Sequence, residues 1–338
     1  MNDVDDNGPI FIGGPDRSGK TLLAAILGSH SQVAIPIVGS NLWSYFYGQY
    51  GDLRRDDNFE HCLMALLRYK HARFLDPDPA RLRAEFRGGE RTYARLFALI
   101  HEHFAERRGK PRWGDQTGLI EQYADQILGA YRGARIIHMI RDPRDRYEAS
   151  LRMWPKGRAR AGGAVARWRY SVALGERNLA RWADRYRIVR YEDLVTDPER
   201  VTITLSRFLG MDFEPEMLAM QDASSFRQKL IAGGGTPERL VTNANIGAYR
   251  GVIPPSDLAF IQGRLRDAMD RHGYAPDSIE MDGATRLRYL GVEWPLNTTR
   301  MAAWGVLEVL QNRFPSVIGR RPSADMVVKA QDASANPS

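Results

Sequence analysis

The 338-residue chain has one cysteine, Cys62, and a single thiol excludes an intrachain disulfide or a cysteine-rich metal centre. Cys62 lies in the apolar run HCLMALL, where a small buried hydrophobe is expected. No uninterrupted apolar stretch approaches the roughly 20 residues that cross a bilayer. The opening residues, MNDVDDNGP, are acidic and lack the apolar segment of a secretory signal. No basic run interleaved with aromatics marks a nucleic-acid surface. A soluble cytoplasmic protein is therefore expected, with no transmembrane segment and no nucleic-acid partner. Charge is not lopsided either. The 48 Lys+Arg against 41 Asp+Glu leave +7, mostly through arginine. That excess suits a solvated surface, or a site for polyanionic small molecules such as phosphates.

What is present is a globular composition, 43% hydrophobic and 26% charged. The segment FIGGPDRSGKTLL, residues 11–23, carries the first chemistry. Gly14 to Thr21 (GPDRSGKT) fills every slot of G-x-x-x-x-G-K-[ST], the nucleotide phosphate loop. Its context is right: PIFIGG reads as a short buried strand, and KTLLAAILGSH as a helix with Leu22, Leu23, Ile26 and Leu27 on one face. Glycines let backbone N–H groups converge on anionic oxygens, and the helix adds its positive end. Lys20 and Arg17 supply charge; Ser18 and Thr21 supply hydroxyls.

Further on, QVAIPIV reads as a second strand, and residues 59–110 as helices broken at DPDP (76–79) and GG (88–89). GLIEQYADQILGAYRG reads as a helix leading into the strand ARIIHMIRD. Helices follow to about residue 183, then the strand YRIVRYEDL and the helix DPERVTITLSRFLG. Residues 226–252 read as a loop rich in Gly, Thr and Asn, before the helix PSDLAFIQGRLRDAMDRHG. Strands alternating with helices argue an α/β fold, a P-loop-like parallel sheet flanked by helices. The expected organisation is a disordered N-terminus over 1–8, an α/β domain over 9–284, a C-terminal helical appendix over 285–320, and a loose tail over 321–338. In the appendix Met301, Trp304, Leu307 and Leu310 repeat at helical spacing. That spacing is expected to be core packing, with a partner or membrane-surface face as the other reading.

A Mg²⁺-dependent NTPase also wants an acid at the end of a neighbouring strand. ARIIHMIRD instead ends in Arg141 before Asp142, and an arginine there repels a metal and attracts a second phosphate. At this point the chain resembles the sulfotransferases. FIGGPDRSGKTLLAAILGSHSQVAIP is similar to their first signature, G-x-x-R-S-G-T-T-L-L before a helix. ARIIHMIRDPRDRYEASLRMW resembles the second, a hydrophobic strand followed by R-D-P-R-D. RYRIVRYEDLVTDPERVTITLSRFLG resembles the R-Y-E-D-L segment, and NIGAYRGVI the late S-I-G-R-W-R loop. The four occur in family order between about residues 10 and 275.

The resemblance implies sulfuryl transfer from 3′-phosphoadenosine 5′-phosphosulfate (PAPS) to a hydroxyl or amine of a small-molecule, glycan or lipid acceptor, with no metal required. It implies that Gly14, Arg17, Ser18, Gly19, Lys20 and Thr21 hold the 5′-phosphosulfate and Arg141 the 3′-phosphate. Ser150 would assist Arg141, Tyr191 would line the donor side, and Arg250 would be a second phosphate ligand. Three departures stand out. Lys20 replaces the family's threonine and creates the apparent NTPase loop. Gln116, in WGDQTG, stands where many relatives carry a lysine in D-K-T-P, so the cation is expected to have moved to Lys20. IPIVGSNLW lacks the usual glutamate base, which leaves Asp115 and then His30 as candidate bases. Ser150 also falls one residue past the family's hydroxyl, where this chain has Ala149. The aromatics Trp43, Tyr45, Phe46, Tyr47 and Tyr50 suggest an acceptor wall or an ordinary buried cluster. A P-loop kinase or NTPase, and a non-catalytic nucleotide-binding protein, stay open beside the PAPS-dependent enzyme.

Overall fold

The computed structural model describes residues 8–153, 160–237 and 239–328. The start of the chain (1–7) and residues 329–338 of the expected tail lie outside the described residues. Five parallel strands form one sheet in the order β2-β3-β1-β4-β5. They are β1 Ile10–Gly13, β2 Val33–Ala34, β3 Arg112–Gln116, β4 Arg135–Ile140 and β5 Tyr186–Arg190. Side chains alternate across a strand. Ile10 and Ile12 therefore pack on one face of β1 and Phe11 on the other, each in its own apolar cluster. Both faces are covered by helices, as a parallel sheet requires.

β3 went unrecognised in the sequence because RWGDQ has one large apolar residue and a glycine. Gly114 is there for room: a Cβ would fall 2.6 Å from the Ile10 carbonyl oxygen and 2.8 Å from Ile35 Cγ1. β1 is central, with β3 and β4 on either side, and the connections leaving β1 and β4 run to opposite halves of the sheet. Such a switch point opens a crevice at the carboxyl ends of the strands.

The appendix lies against the helix Ala161–Arg181. Gly162 N–H donates to Asn297 Oδ1 (3.2 Å), Asn312 Nδ2 donates to Tyr170 Oη (3.2 Å), and Tyr170 meets Trp304 edge-on at 5.5 Å. The expected core stripe is only half right. Met301 and Trp304 face the body of the protein, but Leu307 and Leu310 are 49% and 40% exposed. Residues 321–328 of the expected tail are tied back: Val327 pairs antiparallel with Tyr69, and Val328 N–H donates to Arg68 O at 2.9 Å. The expected loop over 226–252 begins with a helix, Ser224–Ala232. Among the described residues no helix is long and apolar enough to cross a membrane. Cys62 is fully buried, and burial pushes its thiol pKa far up.

Candidate active site

The loop after β1 turns three times through left-handed backbone, at Gly14 (φ 114°), Arg17 (φ 66°) and Gly19 (φ 94°). Two of these positions are also sterically closed to anything larger than glycine. A Cβ on Gly14 would fall 2.0 Å from the Met139 carbonyl oxygen, and one on Gly19 would fall 2.5 Å from Tyr191 Cδ2. The loop is thus pressed between β4 and the ring of Tyr191. Its own side chains brace it. Ser18 Oγ donates to Pro15 O (2.7 Å), and Lys20 Nζ donates to Gly14 O and Pro15 O (both 2.8 Å). Gly14 N–H is turned inward, onto Glu121 Oε2 at 3.1 Å. Behind it a buried chain runs from Glu121 through Ser171 and His138 to Tyr186. The loop therefore has its shape before any ligand arrives.

The helix Lys20–Gly28 starts at Gly19 with no side-chain cap and no acid in its first turn, so its positive end is uncompensated. It faces a cleft of about 770 Å³ lined by Arg17, Gly19, Lys20, Thr21, Arg141 and Tyr191, and on the far wall by Arg152, Lys229 and Asn245. Arg141 is 5% exposed. Its Nη1 donates to Arg17 O (3.3 Å) and its Nη2 to Asn245 O (2.8 Å), while its Nε is buried without a partner. No carboxylate among the described residues forms an ion pair with it. The guanidinium stacks on Tyr191, 4.5 Å from the ring centroid. Arg17 feels the crowding: burial and the charges of Arg141 and Arg152 hold its pKa below the usual arginine value. Like charges gathered in a partly dry cleft are stabilised by an anion.

The R-D-P-R-D-R run around Arg141 is a set of braces. Asp142 is bidentate with Arg144 (2.7 Å at closest). Asp145 accepts from the N–H groups of Gly247 (2.8 Å) and Tyr249 (3.1 Å), which fixes the late loop. Arg146 Nε donates to Asp16 O at 2.8 Å and fixes the first loop. Sequence reading found Arg141 but missed these partners. It also missed Arg152, Lys229 and Asn245, which no local pattern distinguishes.

Six of the expected residues do not line the cleft: Gly14 lines another cavity, Ser18 is fully buried with its hydroxyl on Pro15 O, and four more lie elsewhere. Ser150 is buried and donates to Arg146 O within its helix, so Ala149, one position earlier, takes the place in the cleft wall. Arg250 points outward and pairs with Asp277 (3.1 Å); Asn245, from the same loop, lines the cleft instead. His30 sits at the far end of the helix Lys20–Gly28, about 15 Å from its start at helical rise. There its Nε2 lies 3.1 Å from Asp212 O. Asp115 is fully buried and lies in β3. Its carboxylate accepts from Ser40 N–H (3.0 Å), Ser40 Oγ (2.5 Å) and Thr117 Oγ1 (2.8 Å). The residue of β3 that meets the loop is Gln116, whose Oε1 accepts from Thr21 Oγ1 at 3.4 Å. The hydroxyl at the metal-binding slot of an NTPase loop therefore faces an amide rather than a carboxylate.

A second cavity, of about 420 Å³, opens on the other side of the loop. Gly14, Pro15 and Asp16 form its floor, Tyr45, Arg146 and Arg167 its sides, and Trp304, Glu308, Arg320 and Arg321 of the C-terminal segment its outer wall. Asp16 lines both cavities. Burial pushes its carboxyl pKa up, but Lys20, Arg146, Arg167 and Arg17 outweigh that and hold it below the ordinary value. Of the aromatic run, only Tyr45 lines this cavity. Trp43 and Phe46 are core residues, and Tyr47 lies on a separate cavity with Trp43 and Tyr93.

A glycine-bent loop and helix start after β1, beside an arginine just past the end of β4, define a P-loop-like nucleotide-binding fold. The model of the sulfotransferase family matches residues 9–215, and the chain belongs to that family. It is a PAPS-dependent sulfotransferase, and the kinase and non-catalytic readings of the loop give way to that. Among solved structures it is similar to the sulfotransferase domain of the Synechococcus PCC 7002 olefin synthase, with 24% identity over 79% of this chain and 94% of that one, at a TM-score of 0.55. The sulfotransferase domain from the curacin biosynthetic pathway is 20% identical over 80% and 99%, with a TM-score of 0.48. Sulfotransferase STF9 from Mycobacterium avium is 16% identical over 81% and 78%, with a TM-score of 0.43. No curated protein sequence matches the chain significantly.

Proposed function

We propose that the 770 Å³ cleft holds PAPS, with the 5′-phosphosulfate at the loop and the 3′-phosphate at Arg141, and that the acceptor enters the 420 Å³ cavity on the loop's other side. One observation carries this reading: Arg141 is a buried cation with an unpartnered Nε, in the same cleft as the phosphate loop. A guanidinium fork suits a phosphate monoester, and among the described residues no carboxylate pairs with it. Arg17, Lys20 and the helix start supply charge for the other end of the nucleotide. Arg152 and Lys229 stand on the opposite wall.

The chemistry then follows from position. An acceptor oxygen in the second cavity attacks the sulfur. The bond from sulfur to the 5′-phosphate oxygen breaks, and its electron pair stays on that oxygen. The acceptor proton passes to Asp16, the carboxylate common to both cavities. The low pKa of Asp16 comes from its cationic neighbours, and donor charge laid on Lys20 and Arg17 raises it toward a useful base. Lys20 stabilises charge on the leaving phosphate, in line with transfer reactions that rest on positioning and electrostatics. Asp115 and His30, whose carboxylate and ring are engaged elsewhere, are replaced by Asp16 in this scheme. The acceptor is a small-molecule, glycan or lipid hydroxyl or amine.

Calorimetry tests the donor assignment. Adenosine 3′,5′-bisphosphate should bind without metal at least about tenfold more tightly than ATP with Mg²⁺. Tighter binding of ATP with Mg²⁺ would refute it.

A further inference from the structure

The C-terminal helix Trp294–Arg313 is inverted relative to a surface helix. Its inward positions include the buried polar residues Asn297 and Glu308, 5% and 3% exposed. Its outward face carries Val306 (60% exposed), Val309 (67%) and Leu310. The apolar face does not end with the helix. Leu287 (75%) and Leu290 precede it, and Phe314 and Val317 (72%) follow. Monomeric proteins rarely leave so many large apolar side chains of one segment in water, because each exposed side chain forgoes the transfer free energy of burial.

Charge narrows the choice of what covers it. Residues 283–321 hold six arginines (286, 288, 300, 313, 320 and 321) and two glutamates. Both glutamates are taken: Glu293 pairs with Arg288 at 3.0 Å, and Glu308 with Arg320. Within residues 283–321 the outward surface is thus apolar, with exposed cations at Arg286 and Arg313 and neither glutamate free; the exposed Asp282, just before, caps the helix through Thr285. A half-exposed Trp294 sits at its edge, under the guanidinium of Arg264 at 4.7 Å. Leucine, valine and phenylalanine flanked by arginine at 286 and 313, with tryptophan at the boundary, is the composition of an interfacial helix on an anionic bilayer. A second copy of this chain fits less well, because a two-fold interface would set the same cationic face against itself.

We propose that the outward face of residues 287–318 docks the enzyme on an anionic lipid surface. The inner face of the same segment walls the second cavity through Trp304, Glu308 and Gln311, so docking sets that cavity beside the membrane. The surface itself does not depend on which nucleotide fills the other cleft.

The test is co-sedimentation of the full chain with vesicles. Vesicles of phosphatidylcholine with about one third phosphatidylglycerol should bind at least about tenfold more strongly than pure phosphatidylcholine, and added salt should weaken the binding. Val306→Glu combined with Val309→Glu should abolish it, and Arg313→Glu should weaken it. Binding of adenosine 3′,5′-bisphosphate by both variants shows that they are folded. Equal binding to the two vesicle types, or binding unchanged in the double variant, would overturn the proposal. So would a dimer in sedimentation equilibrium that the double variant dissociates while no vesicle binds.

Discussion

The guanidinium of Arg141 sits over the ring of Tyr191, 4.5 Å from its centroid, and the same ring closes the space beside Gly19. One side chain thus positions the cation and confines the loop. Arg141→Gln keeps a hydrogen-bonding side chain but loses the charge and the fork. It should weaken adenosine 3′,5′-bisphosphate by about 30-fold or more, roughly 2 kcal/mol, while 5′-AMP changes by much less. Calorimetry with both nucleotides checks it; an equal loss for the two would remove Arg141 from the 3′-phosphate.

Lys20 and Gln116 reach the loop from two directions. Gln116 touches Thr21, the next residue after Lys20, and Lys20 Nζ folds back onto the loop carbonyls. A lysine at 116 would extend toward the same anion from β3. Lys20→Thr should lower kcat by about 10²-fold or more. Adding Gln116→Lys should recover a substantial part of that loss. Steady-state rates with a fixed acceptor decide it: a kcat unmoved by Lys20→Thr means the cation never relocated.

How much of this was legible depends on where the information sits. GPDRSGKT and ARIIHMIRD announce themselves because loop, strand and charge are contiguous, so Arg17, Lys20, Thr21 and Arg141 were readable and do meet. Asp16 carried no signal because what sets it apart is its place between two cavities, one of them lined by residues some 300 positions away. Ser150 and Arg250 were misplaced by a single helical step and by an ion pair with Asp277. Asp115 was a candidate only because the usual glutamate is missing, and nothing in the sequence shows that the tertiary fold buries it in β3 under Ser40, Thr117 and His101. Met301, Trp304, Leu307 and Leu310 of the appendix were periodic enough to read as a helix. Periodicity does not say which face turns inward.

Asp16 and Asp115 separate catalysis from stability. Asp16→Asn should cut kcat by about 10²–10⁴-fold and leave bisphosphate affinity within about threefold. Asp115→Asn should spare kcat of the folded enzyme and cost about 1–3 kcal/mol of stability by disturbing a buried hydrogen-bonded carboxylate. Burial pushes the Asp115 carboxyl up, but His101 and Ser40 outweigh it and hold the pKa below the ordinary value. A carboxyl depressed in the folded state contributes fully above its unfolded value of about 3.9 and loses that contribution as pH falls through its folded value. The melting gap between wild type and Asp115→Asn should therefore be widest near neutral pH and close below about pH 4. Rates and melting curves on the two variants check this together. A kcat loss in Asp115→Asn with Asp16→Asn active would return the role of base to β3.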